Sequence, residues 1–182
     1  EQGTVTLTWK GAPLSFTSKP LSVTLDLHWY DPSRIQSVSY ELHGGTAYTN
    51  GEALEDGIPA ITVITGGKMT APDVEIKRDG YTFDGWYLEA AGKTAWNFAT
   101  DKVKTNLVLH AKWTPIVYKI AYELNGGTNA DTNVATYTIE DNVKLADPTR
   151  AGYEFAGWNT AADGTGSKVI EIPVGRIGDQ TF

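Results

Sequence analysis

The sequence predicts a β-rich α+β protein built from tandem copies of a small unit. Three observations support this: apolar and polar residues alternate along several short segments, two sequence blocks recur in the same order, and glycine and proline are frequent. The 182 residues include 19 glycines, 8 prolines and one methionine, a composition that favours turns over long helices. At roughly 150 residues per domain, the length allows one or two domains.

Two blocks of sequence each occur twice. The block Tyr-Glu-Leu-x-Gly-Gly-Thr spans residues 40–46 and recurs at 122–128. The block Gly-Tyr-x-Phe-x-Gly-Trp spans residues 80–86 and recurs at 152–158. The first pair is offset by 82 residues and the second by 72. The first copy therefore carries ten additional residues between its two blocks.

The repeats divide the chain into three segments. Residues 35–113 are expected to form the first complete unit, and residues 117–182 a second unit that is cut a few residues before its expected closing tryptophan. Residues 1–34 are expected to be the C-terminal part of a preceding unit. The ten additional residues are expected around 47–57 and beside 75–79. Such an expansion is tolerated because longer surface loops cost little folding free energy.

The assignment of the first 34 residues rests on a partial third copy. His28-Trp29 precedes the first unit much as His-Ala-Lys-Trp, residues 110–113, precedes the second. This match is short, so a piece of another β domain is the alternative for this segment. A chain that starts and stops inside units predicts a linear array that continues past both ends.

Strand periodicity agrees with this organisation. Alternating segments that stop at a Gly-Gly pair, and short segments rich in β-branched residues, are typical of strands. The predicted strands are residues 35–42, 61–64, 106–113, 117–124 and 135–139. Helix is expected for at most one or two turns, at residues 49–56 and 143–146.

Aromatic residues and glycines of the two blocks form the predicted structural signature. Units of this size have little core, and each buried aromatic ring removes a large apolar area from water. We therefore interpret the Gly-Tyr-x-Phe-x-Gly-Trp block as a hydrophobic centre, with a sugar-stacking platform as the alternative. The signature residues are Tyr40, Gly44, Gly45, Gly80, Tyr81, Phe83, Gly85, Trp86, Trp113, Tyr122, Gly126, Gly127, Gly152, Tyr153, Phe155, Gly157 and Trp158.

These blocks, together with Trp96-Asn97-Phe98 leading to residues 109–113, resemble the Listeria–Bacteroides repeat, the B-repeat of internalin-type surface proteins. The resemblance covers residues 36–182 well and residues 1–35 weakly. It implies compact β-grasp-like (ubiquitin-like) units in an elongated array on secreted or cell-wall-anchored bacterial proteins. Such repeats are generally stalk or adhesive modules on extracellular virulence proteins, and they have no catalytic residues to carry over.

Charge and composition limit the possible partners. The formal charge of -7 argues against nucleic acid and anionic membranes, which attract clustered basic groups. Apolar runs fall far short of the roughly 20 residues that a membrane span needs. The absence of cysteine excludes disulfides, thiolate metal sites and cysteine nucleophiles. The expected partners are neighbouring repeat units and, as a further option, a host surface protein or glycan.

No catalytic, cofactor or metal site is predicted. The three histidines, His28, His43 and His110, lack the i, i+4 or His-x-His spacing of zinc sites and are expected at the surface or at strand ends. The turns at Asp131 and Asp163 invite comparison with calcium loops but lack the EF-hand rhythm. No Gly-x-Ser-x-Gly elbow is present. The chain is therefore expected not to be an enzyme.

Two functions remain after these exclusions. The first is a stalk or spacer that also contributes to adhesion. The alternative is a ligand-binding module for host glycan or host protein, with the expanded loop of the first unit as the contact. Only Thr114, Pro115 and Ile116 separate the two units. Proline restricts its own φ angle and the residue before it, so a semi-rigid connection is predicted.

Overall fold

A computed structural model describes residues 31–182, which form one compact unit. Residues 1–30, which make up most of the predicted third copy, lie outside the described range. The β-rich class is confirmed, but the α component is absent from residues 31–182, where the 3₁₀ turn Pro32–Arg34 is the sole helical element. The strands are β1 Ile35–Glu41, β2 Thr46–Thr49, β3 Glu52–Ala53, β4 Ile61–Ile64, β5 Glu75–Lys77, β6 Tyr81–Tyr87, β7 Leu107–Pro115, β8 Tyr118–Ala121, β9 Thr136–Tyr137, β10 Val143–Lys144, β11 Trp158–Asn159, β12 Lys168–Val169, β13 Glu171–Ile172 and β14 Gln180–Thr181.

The first repeat is organised around a four-stranded mixed sheet in the order β4-β1-β7-β6. Its central strands β1 and β7 run parallel, with Val38 opposite Leu107 and Tyr40 opposite Leu109. The edge strands β4 and β6 pair antiparallel with them. The register of β6 shifts between Phe83 and Gly85, so this strand carries an irregularity beside its glycine.

The second repeat contains the same central arrangement. Strand β8 lies between β14, which is parallel to it, and β9, which is antiparallel. This matches β1 between β7 and β4, so these three strands have the same arrangement in both repeats. The repeats differ at the outer edge. The β6–β7 pairing of the first repeat has no counterpart in residues 117–182, and residues 152–157 do not form a strand.

The ten additional residues of the first repeat lie between β2 and β5. Thr46 pairs with Lys77, 31 positions later. The equivalent bridge of the second repeat joins Thr128 to Thr149, 21 positions later. All of the additional residues therefore lie between Thr46 and Lys77, a range that contains the predicted location at 47–57 and only the first residues of the predicted location at 75–79.

Residues 49–56 contain a β-hairpin turn rather than the predicted helical turns. Thr49 of β2 pairs with Glu52 of β3, and Asn50 and Gly51 between them have φ angles of 50° and 84°. A two-residue loop with positive φ at both positions is a type I′ turn, which Asn-Gly strongly favours. The second predicted helical segment, 143–146, was also wrong because it holds β10, which pairs with β13.

Each repeat has its own hydrophobic core. Burial alternates along the strand predicted at residues 106–113, since Leu109 and Ala111 are buried while Val108 is exposed. The buried residues of the first core are Val38, Met69, Trp86, Val103, Leu109 and Ala111. Those of the second core are Ile120, Tyr137, Leu145, Trp158, Ile172 and Phe182.

The connection between the repeats is shorter than predicted. Thr114 and Pro115 belong to β7, where they pair with Thr82 and Tyr81 of β6. Proline fits there because it lies at the last position of its strand. Only residues 116 and 117 link the two repeats. Within residues 31–182, no helix has the length and apolar character needed to cross a membrane.

Candidate functional site

The joint between the two repeats contains a close contact at Gly80. Gly80 has a φ angle of 75°, and a methyl group added to it would lie 2.6 Å from Cδ1 of Ile139 in the second repeat. The linker residue Ile116 donates its backbone N–H to the Gly80 carbonyl oxygen at 2.8 Å. Glycine supplies both the positive φ angle and the space for Ile139. The joint therefore has packing and a backbone hydrogen bond in addition to its short linker.

A polar contact crosses the same joint. The Tyr81 hydroxyl donates to Oε1 of Glu140 at 2.8 Å, and the Arg78 guanidinium lies 3.8 Å from the centre of the Tyr81 ring. The hydrogen bond to Glu140 raises the pKa of Tyr81, because only the neutral hydroxyl can donate. Arg78 holds the tyrosine ring from one side while Glu140 holds its hydroxyl. Only the hydrogen bond to Glu140 crosses the joint, while Arg78 positions the Tyr81 ring from within the first repeat.

The second repeat presents a similar surface of its own. The Arg150 guanidinium lies 3.9 Å from the centre of the Tyr153 ring, and Gly152 has a φ angle of 78°. Tyr153 is 66% exposed, and a methyl group at Gly152 would meet no atom within 4 Å. The sequence signal for this surface is Arg-x-Gly-Tyr, which occurs at 78–81 and at 150–153. The arginine of this pattern lies just before the predicted signature block in both repeats.

Trp113 closes the first repeat by entering a socket beside β1. Its indole Nε1 donates to the Leu42 carbonyl oxygen at 2.8 Å, and its ring lies 5.4 Å from that of Phe83. A methyl group at Gly45 would overlap the indole at Cζ2 and would lie 3.1 Å from Cε2. The second glycine of the Gly-Gly pair is therefore required by space rather than by its backbone angle.

The second repeat has a groove at the corresponding place. Its volume is about 620 Å³, and its lining includes Leu124, Gly127 and Phe155, the repeat equivalents of Leu42, Gly45 and Phe83. Trp158 and Phe182 form part of its wall. The groove thus reproduces the walls of the Trp113 socket, including apolar side chains.

The signature block divides into buried and exposed residues. Trp86 is 6% exposed and Trp158 is 5% exposed, which confirms the core interpretation for the two tryptophans. The interpretation was wrong for Phe83, Tyr153 and Phe155, which are 36%, 66% and 38% exposed. Pairing with β7 leaves Tyr81 half-buried, whereas its equivalent Tyr153 has no partner strand within the described residues. The two phenylalanines are almost equally exposed with and without a partner strand. Positive φ angles occur at the signature glycines Gly44, Gly80, Gly85, Gly126, Gly152 and Gly157.

The loop predicted as a ligand contact is an exposed hairpin. Residues 49–53 are exposed, and Tyr48 at the base of the hairpin lies under the Lys77 ammonium group, 5.3 Å from its ring centre. Lys77 also forms a 2.8 Å ion pair with Glu75. The hairpin belongs to the small sheet β3-β2-β5. In the second repeat, a single bridge between Thr128 and Thr149 takes the place of this sheet.

The fold brings two of the three histidines together. Nε2 of His43 lies 2.9 Å from Nδ1 of His110, and the centres of the two rings lie 5.1 Å apart. The sequence separation of 67 residues concealed this contact, because spacing rules detect only histidines that are near in sequence. His28 lies outside the described residues.

The aspartate turns considered as calcium loops are held by hydrogen bonds. Oδ1 of Asp163 accepts from the hydroxyl of Thr165 at 2.7 Å and from its backbone N–H at 3.0 Å. These bonds, the hydroxyl first, lower the pKa of Asp163. The part of the chain that the structure describes has no group of three or more His, Asp or Glu side chains arranged for a metal ion.

Calcium should therefore leave the stability of the chain unchanged. We expect the same melting temperature with millimolar calcium and with excess EGTA, because the Asp163 turn is closed by Thr165. Differential scanning fluorimetry checks this expectation, with Asp163→Asn as a comparison. A rise of several degrees with calcium that Asp163→Asn or Asp131→Asn abolishes would contradict it.

Comparison with known proteins identifies the repeats. The model of the Listeria-Bacteroides repeat domain matches residues 37–112 and again residues 118–182. Both matched stretches lie within the described range, and they contain the two cores and the joint between them.

Three relatives show where this sequence pattern occurs. The chain is 32% identical over 139 residues to a putative membrane protein of Evansella cellulosilytica and 33% identical over 138 residues to a putative Gly-rich membrane protein of the same organism, covering 75% of this chain each time and 18% and 14% of those proteins. It is 28% identical over 189 residues to Internalin H of Listeria monocytogenes, covering 91% of this chain and 34% of that protein. The chain thus spans about a third or less of the length of these relatives. It belongs to the Listeria-Bacteroides repeat family and carries two repeats.

Proposed function

We propose that the chain is a non-catalytic stalk of an extracellular bacterial surface protein, either secreted or anchored in the cell wall, in which repeat units hold other domains at a distance. The observation that carries this proposal is the joint, where Ile139 packs on Gly80 and Glu140 accepts from Tyr81. A two-residue linker with a packed joint resists bending, and units that contact mainly their neighbours build an extended array. The segment boundaries 35–113 and 117–182 are part of this proposal.

The strand order supports β-grasp-like units. In the first repeat, the first and last strands run parallel at the centre of the sheet, and two further strands pair antiparallel at the edges. This is the order expected for a β-grasp sheet. In place of the helix of that fold, irregular chain bearing Met69 and Val103 packs on the core.

The joint can be tested by measuring an inter-repeat distance. The chain has no cysteine, so Asn50→Cys and Asp163→Cys place one spin label on an exposed loop of each repeat. We expect a narrow distance distribution in the parent chain by double electron–electron resonance. Gly80→Ala should broaden it, because the new methyl group collides with Ile139.

Gly152→Ala is the matched control for this experiment. Gly152 and Gly80 have nearly the same φ angle, so both variants carry the same backbone strain. A methyl group at Gly152 has no neighbour within 4 Å. Its distance distribution should match that of the parent chain. A parent distribution that is already broad, or equal broadening in both variants, would contradict a joint that holds the repeats in a fixed orientation.

Binding of host protein or glycan is the second candidate function. The feature that favours it is the exposed hairpin at residues 48–53, which the second repeat lacks. Replacing residues 47–57 with the shorter loop of the second repeat separates the two functions. A stalk predicts unchanged binding of the chain to host cells, whereas a hairpin-based contact predicts its loss.

A further inference from the structure

We propose that His43 and His110 form a surface site for a divalent transition-metal ion, with Cu²⁺ as the preferred ion. The two imidazoles would supply Nε2 of His43 and Nδ1 of His110, and water would fill the remaining coordination positions. Neutral imidazole is the commonest protein ligand for such ions. No spacing rule predicts this site, since the two residues lie on different elements of the first repeat.

The two ring nitrogens are close enough for one ion to bind both. They lie 2.9 Å apart, and the ring centres are 5.1 Å apart. These two distances show that the rings meet almost end to end, as in a hydrogen-bonded pair. Metal–nitrogen bonds of about 2.0–2.1 Å can reach both atoms once each imidazole turns so that its nitrogen lone pair points at the ion.

The backbone holds both histidines in place before a metal arrives. His110 lies in β7 between β1 and β6, with Glu41 and Tyr87 as its register partners. His43 follows β1 in a turn that the Gly45 N–H closes onto the Leu42 carbonyl oxygen at 3.0 Å. In the free protein one ring nitrogen donates its proton to the other. Binding requires that both imidazoles turn towards the ion and that the donating ring shift its proton to its second nitrogen, so neither a proton nor a strand has to leave the site.

The turn does not by itself explain a histidine at position 43. The φ angle of His43 is 48°, and that of its repeat equivalent Asn125 is 49°. Asparagine readily adopts this left-handed conformation. The same turn is therefore made with the more usual residue in the second repeat. The distinctive property of His43 is its contact with His110.

The surrounding charges are compatible with a cation. Glu41 pairs with His110 in the register of β1 and β7, so both side chains lie on the same face of the sheet. Lys112, two residues along β7, holds its ammonium group 5.0 Å from the centre of the Tyr87 ring, and Tyr87 is the register partner of His110, so a bound ion has to tolerate this positive charge. The chain carries a formal charge of -7, which adds a favourable long-range field.

Titration of the whole chain with Cu²⁺, Ni²⁺ and Zn²⁺ in a non-coordinating buffer tests the site. We expect one saturable Cu²⁺ per chain by calorimetry and an electron paramagnetic resonance spectrum with two nitrogen ligands. His43→Asn should weaken binding by at least 10–100-fold, the typical loss when even an outer-shell partner of a metal ligand is removed. This variant keeps the turn, since asparagine occupies the same backbone position in the second repeat.

Two controls make the result decisive. His28→Asn should leave Cu²⁺ affinity unchanged, and His43→Asn should keep the melting temperature of the metal-free parent chain. His110→Ala should lose binding as His43→Asn does. Cu²⁺ binding that survives both His43→Asn and His110→Ala would overturn the site. Ni²⁺ or Zn²⁺ binding tighter than Cu²⁺ would overturn the ion preference.

Discussion

Replacing Trp158 with alanine should lower the unfolding free energy of the second repeat by about 3–5 kcal/mol, most of the stability of so small a unit. Trp158 is 5% exposed, and its ring lies 5.2 Å from that of Tyr122. Its indole Nε1 also donates to the Ala146 carbonyl oxygen at 3.1 Å. Truncation therefore removes packing and a hydrogen bond together. Urea denaturation followed by circular dichroism measures the loss.

Tyr153→Ala provides the matched control in the same sequence block. Tyr153 is 66% exposed and contacts mainly the Arg150 guanidinium, so its removal should change stability by less than about 1 kcal/mol. The corresponding core variant of the first repeat, Trp86→Ala, should behave like Trp158→Ala, since Trp86 is also buried and lies 5.1 Å from Tyr40. An unchanged denaturation midpoint in Trp158→Ala would contradict a core role and favour the sugar-platform alternative.

The contrast between the two tryptophans and Tyr153 shows what sequence alone could predict. Alternation of apolar and polar residues located β1, β7 and β8, because their inward phase must be apolar, and β-branched residues located β4 and β9. The recurrence of the block identified Trp86 and Trp158 as core residues. It could not predict the exposure of Tyr153, because a strand forms only where a second strand pairs with it. Strand β7 supplies that partner for β6, and residues 152–157 lack one within the described range.

The turn at residues 49–56 was predictable from its sequence. Asn50-Gly51 strongly favours a two-residue hairpin turn, and this preference prevailed over the weak helical pattern of the segment.

Contacts between residues far apart in the sequence were beyond prediction from one sequence. Tyr81 meets Glu140 across 59 residues, and His43 meets His110 across 67. Nothing in the local sequence of either residue specifies the other. The elements between them determine the contact.

The fit of Trp113 against Gly45 carries the second large expected effect. Gly45→Ala should destabilise the first repeat by about 1–3 kcal/mol, the usual cost of overpacking a close contact. The added methyl group would overlap the indole at Cζ2. It would force Trp113 away from the Leu42 carbonyl oxygen, to which its Nε1 donates at 2.8 Å. The backbone of Gly45 does not have a positive φ angle, so a loss of stability cannot be attributed to glycine-specific backbone strain.

A double-mutant cycle with Trp113→Ala separates this collision from other effects of the substitution. When the indole is absent, the methyl group at position 45 has no ring to meet, so Gly45→Ala should cost much less in the Trp113→Ala chain than in the parent chain. The difference is the interaction energy of the pair and should exceed about 0.5 kcal/mol, the lower end for residues in contact. Denaturation of the four chains in urea gives all the terms. Additive losses would show that the Gly-Gly turn and the closing tryptophan stabilise the repeat independently, and the socket would then have no role in holding β7 against β1.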